Sequence, residues 1–137
     1  MKIGIITPAP PRSRYGNRVT ALRWAHILRS LGHRVVISQS YAGEPFDLLI
    51  ALHARRSHAA IARFCREHPA APLVVAITGT DLYHDLPRSR QAQHSLELAT
   101  RVVVLQPAAL AELSPRLRDK ARVIYQSVPK RETVSPG

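Results

Sequence analysis

The chain is short of several things at once: it has one cysteine (Cys65), one methionine, one tryptophan and only 5% aromatic residues. A single thiol excludes a disulfide framework and fits a reducing, cytoplasmic setting. Cys65 falls in a helical pattern, where a free cysteine reads as buried filler before it reads as a nucleophile. With no Cys/His finger spacing and no arginine–aromatic ladder, nucleic-acid binding is a minor reading. No apolar run approaches the ~18 residues that span a bilayer, and no signal-peptide pattern opens the chain, so no membrane partner is expected. Acidic residues are scarce too: nine in 137 residues, none before Glu44.

What is abundant is arginine. Seventeen arginines and three lysines give a net charge of +11. Such charge either covers solvated faces or lines a site for an anion such as a phosphate or nucleotide. The 45% hydrophobic content suits one globular domain with a real core. Six apolar runs read as strands: Ile3–Thr7, Arg34–Ser38, Leu48–His53, Leu73–Thr78, Val102–Gln106 and Val123–Gln126. Several are continuous and β-branched rather than alternating, as in strands buried on both faces of a parallel sheet.

Helical patterns separate most of these runs. Asn17 is a good N-cap, Trp24, Ile27, Leu28 and Leu31 follow at helical spacing, and Gly32 closes the helix. Further helices are expected over Ser57–His68, with Ile61, Phe64 and Cys65 inward, and over Ser89–Thr100. Pro107 opens a short fourth through Leu113, closed by Ser114-Pro115. Strand–helix alternation at this spacing predicts an α/β fold, a Rossmann-like parallel sheet flanked by helices, over residues 1–128. Residues 129–137 have linker composition.

In such sheets ligands sit outside the carboxyl ends of the strands. Thr7, Arg12, Arg14, Gly16, Asn17 and Arg18 follow the first strand, and guanidinium groups beside a helix N-terminus suggest an oxyanion cradle; a plain turn glycine is the alternative. His53 ends the third strand and is either a packed histidine or a catalytic one. Arg55, Arg56 and Ser57 after it offer a second anion contact. Thr78-Gly79-Thr80-Asp81 follows the fourth strand and either caps a helix or binds a polyol and orients a base. Gln106 follows the fifth strand; Gln126 and Ser127 follow the sixth. No G-x-G-x-x-G fingerprint, Walker lysine or G-x-S-x-G elbow is present. Asp81 and Asp85, with His84 between them, are too few for a metal site, so none is expected.

The layout resembles the N-terminal half of a GT-B glycosyltransferase of the family-4-like group. More closely, the strings Ile6–Arg14, Gly16–Ala25, Leu52–His58, Thr78–Tyr83 and Val123–Ser127 resemble the selenosugar synthases of selenoneine biosynthesis, a likeness over nearly all of residues 1–128. The resemblance implies a transferase that joins the sugar of a UDP-sugar (UDP-N-acetylglucosamine or UDP-glucose) to selenophosphate through a carbon–selenium bond, with no further cofactor. His53 and Asp81 are the catalytic candidates, as the groups that would deprotonate an alcohol acceptor; selenophosphate, already anionic, needs cationic positioning more than a strong base. Substrate contacts would come from the first loop and Thr20, the Arg55–Ser57 turn, Thr78, Gly79 and Thr80, and Gln106, Gln126 and Ser127. In GT-B enzymes the N-terminal domain holds the acceptor, and a C-terminal domain carries most donor contacts. Gly137 comes before any such donor half, so the isolated chain is expected to be an incomplete, inactive half that needs a C-terminal partner domain. The alternatives are a family-4-like transferase with another acceptor, or a non-catalytic anion- or nucleotide-binding domain.

Overall fold

The computed structural model describes residues 1–8, 16–77 and 85–124. In chain order its elements are β1 (Lys2–Ile6), α1 (Gly16–Ser30), β2 (Arg34–Ser38), β3 (Leu48–Leu52), α2 (His58–Glu67), β4 (Leu73–Ile77), α3 (Arg90–Leu98), β5 (Arg101–Val104), a 3₁₀ helix (Pro107–Glu112), α4 (Pro115–Asp119) and β6 (Ala121–Val123). All six strands form one parallel sheet in the order β2-β1-β3-β4-β5-β6. This is the expected α/β, Rossmann-like arrangement. Among the described residues no helix is long and apolar enough to cross a membrane.

The continuous apolar strands bury both faces, as their composition requires. Leu49, Ala51, Leu73, Val75, Val102 and Val104 face α2 and α3 and pack with Phe64, Ile61 and Leu96. Ile3, Ile5, Ile50, Leu52, Ala76 and Val103 face the other way, toward α1. Between β2 and β3 there is no helix; Tyr41 and Phe46 from this connection fill its place. Phe46 lies so close to β1 that a Cβ on Gly4 would meet its ring at 2.5 Å. Glycine is the residue that lets ring and strand approach.

Several local expectations need correction. On α1 the inward stripe is Ala21 and Ala25, with Trp24 and Leu28 half-buried, whereas Ile27 is 48% and Leu31 68% exposed. Small residues let the helix approach the sheet, and the larger apolar side chains are left on its outer flank. The helix begins at Gly16, so Asn17 lies in its first turn and not at the cap. Ser114-Pro115 opens α4 rather than closing the helix before it: the Ser114 hydroxyl accepts from the Leu117 N–H, and proline takes the first helical position. The segment from Pro107 is a 3₁₀ helix, and β5 and β6 start one and two residues earlier than expected. Gly32, at φ +97°, closes α1 as anticipated. Cys65 is half-buried on α2, and burial pushes its thiol pKa up, as befits an inert packing residue.

Candidate functional site

The order β2-β1-β3-β4 sends the chain one way from β1 and the other way from β3. That reversal is a topological switch point, and the crevice outside the strand ends there is where open α/β sheets bind ligands. Ile6 and Ala51 are paired across β1 and β3, so Thr7 and His53 leave the sheet at the same edge. α1 starts from one side of the crevice and packs on one face; α2 starts from the other and packs on the opposite face.

His53 is the centre of this edge. It is 5% exposed, and at φ +79° it is the one described non-glycine residue in the left-handed region. Such a conformation costs about 1–3 kcal/mol and persists only where neighbours over-determine it. Here three backbone contacts do so. The His53 N–H donates to the Ala76 carbonyl at 3.1 Å, its carbonyl accepts from the Ser57 N–H at 3.0 Å, and its ring Nδ1 accepts from the Arg56 N–H at 3.1 Å. An accepting Nδ1 places the proton of a neutral ring on Nε2. Nε2 faces Asp85 Oδ2 at 3.5 Å, and the same oxygen lies 3.2 Å from Arg55 Nε. The Arg55 contact is an ion pair, whereas a neutral His53 ring meets Asp85 as a polar neighbour. Asp85 is buried, whereas the Arg55 side chain is 41% exposed. Arg55 thus joins a buried carboxylate to solvent.

Ser57 is buried and its hydroxyl donates to the Leu52 carbonyl at 2.6 Å, which fixes the turn into α2 from inside. Behind it, the Ser95 hydroxyl of α3 donates to the Ala54 carbonyl at 2.7 Å. Arg56 is exposed. In the first turn of α1, Arg18 is half-buried, and its Nε is buried with no hydrogen-bond partner among the described residues. Such a group is satisfied when an acceptor arrives. Thr20 is buried one turn into the helix. Gln106 is exposed before the 3₁₀ helix, and its side chain makes no capping bond.

The structure therefore brings His53, Arg55, Arg56 and Ser57 into one turn and adds Asp85. In the sequence Asp85 stands only beside His84 and Asp81 as too few ligands for a metal, and nothing local marks it further: its partner His53 is distant in sequence and meets it because β3 and β4 are neighbours. Gly16 and Asn17 lie in the first turn of α1. Arg12, Arg14, Thr78, Gly79, Thr80, Asp81, Gln126 and Ser127, and the linker at 129–137, lie outside the described residues.

Fold and site together define a Rossmann-like α/β domain with a basic, histidine-centred crevice at its switch point. Compared with protein-family models and with curated proteins, the chain matches none.

Proposed function

We propose that the chain is the acceptor side of a glycosyltransferase that joins the sugar of a UDP-sugar to selenophosphate. Selenium attacks the anomeric carbon, the carbon–oxygen bond to UDP breaks, and UDP leaves with the bonding electrons. The donor-binding wall of the cleft belongs to a second Rossmann-like domain in this reading, as the resemblance to selenosugar synthases implies.

The observation that carries the proposal is how the His53 ring and Arg55 are committed. Nδ1 is occupied by the Arg56 N–H and Nε2 faces Asp85, so neither ring nitrogen is free to deprotonate an alcohol. Arg55 spends only Nε on Asp85, and the outer nitrogens of its guanidinium make no hydrogen bond among the described residues. This arrangement suits an acceptor that arrives as an anion and is already a nucleophile. Selenophosphate is such an acceptor: it needs cationic positioning more than a base. In this reading Arg55, Arg56 and Arg18 hold the anion, and Asp85 and His53 hold Arg55 and its turn in place.

The test is incubation of the protein, in its full reading frame, with selenophosphate and a panel of UDP-sugars. The expected result is UDP release coupled to a selenium-bearing sugar by mass spectrometry. Arg55→Gln should lower kcat/KM for selenophosphate by about 10²-fold, the scale of removing one preorganised charge contact, while KM for the UDP-sugar stays within about twofold. UDP release with alcohol acceptors alone would overturn the selenium assignment.

A further inference from the structure

On one face of the sheet, α2, α3 and α4 cover the strands from β3 to β6. On the other, α1 packs over β1, β2 and β3, and no described helix follows it across β4, β5 and β6. A groove of about 420 Å³ runs there, with Trp24 and Ile27 of α1 as one wall and Val74, Val103 and Ile124 as its floor and far side. From β4 to β6 is two strand spacings, about 10 Å, which is the width of one α-helix with its side chains.

The rim is charged with one sign. Arg101 and Arg122 flank the groove and are exposed. Among the described residues their guanidinium groups bond only backbone carbonyls: Arg101 Nη1 donates to Thr100, and Arg122 Nη1 to Asp119 and Ala121. Neither is ion-paired with a carboxylate among the described residues. An apolar trough the width of a helix, bordered by unpaired guanidinium groups, is complementary to a helix with an apolar face and acidic flanks. A second copy of this chain fits less well, because it brings its own arginines and a further charge of +11 to the contact. We infer that this groove docks an amphipathic, acid-flanked helix of a partner protein.

The tryptophan is the reporter. Trp24 is the only one in the chain and lies in the groove wall, so its emission reads occupancy directly. The probe is a synthetic 18-residue helix with leucines on one face and glutamates along both flanks; its control carries lysines in place of the glutamates. The expected result is a saturable blue shift with the glutamate peptide, weakening as salt rises, and binding at least ~10-fold weaker for the lysine peptide and for the Arg101→Glu/Arg122→Glu double variant. Both arginines are exposed, so unchanged thermal unfolding of the double variant serves as its folding control. Equal binding of the two peptides, or no shift with either, would overturn the inference. So would a dimer in sedimentation that Ile124→Glu dissociates, since a second copy would then own the groove.

Discussion

On the face that carries α2, α3 and α4, Phe64, Ile61, Leu96 and Val102 are fully buried, whereas on the α1 face Ile27, Leu31 and Ile124 stand in solvent. The same strands supply both faces, so the difference comes from the connections. Among the described residues, the helices that follow β3, β4 and β5 pack on one side, while the other side receives only the helix between β1 and β2. The covered face holds the larger of the two cores, and the other, where Ile3, Ile5 and Leu52 pack under α1, keeps apolar surface beyond that helix that the described residues leave uncovered.

The largest effect should come from cutting into the covered face. Phe64→Ala is expected to lower unfolding free energy by about 3–5 kcal/mol in urea titrations, the usual loss for a fully buried phenylalanine. Leu31→Ala on the open face should stay within about 0.5 kcal/mol of the parent. Similar losses at the two positions would break the comparison. An intermediate effect is expected at Gly4, where an added methyl must displace the Phe46 ring. Gly4→Ala should cost about 1–3 kcal/mol, and much of that should return in the Gly4→Ala/Phe46→Leu double variant. No recovery in the double-mutant cycle would mean that the ring is not the obstacle.

The smallest effect is a pH dependence confined to the covered face. His58 at the start of α2 lies 2.9 Å from His94 of α3, nitrogen to nitrogen, and burial, then the His94 charge, hold its pKa below 6.5. Below that pH the unfolded chain binds this proton more readily than the folded one, so stability falls with acidification; above it both forms are neutral and the effect vanishes. Replacing His94 by Gln removes one of the two causes. The fall in Tm between about pH 7 and pH 5 should then be shallower, by about 2 °C or less. A steeper fall would contradict this account.

Much of the fold is legible in the residues, because a buried parallel sheet writes itself as continuous apolar runs such as Leu48–Leu52 and Leu73–Ile77. The face of α1 was not. Its large apolar residues follow helical spacing, but the sheet takes the alanines between them, and spacing alone cannot say which stripe a sheet will choose. At the site, the position of His53 at a strand end was readable. Its left-handed backbone and the approach of Asp85 were not, since both are set by hydrogen bonds and strand neighbours remote in sequence.

The place of β1 in the sheet bears on how the chain is made. It precedes the other five strands in the chain, so both of its neighbours are made after it: Lys2 pairs with Arg34 and Ile3 with Leu48. At roughly 5–20 residues per second on the ribosome, the Ile3–Ile6 run waits several seconds for its second partner. Through that interval it is an unpaired apolar edge, the kind of segment that chaperones hold and that aggregation recruits. Slowing translation between β1 and β3 should therefore lower the soluble yield more than an equal delay after β4.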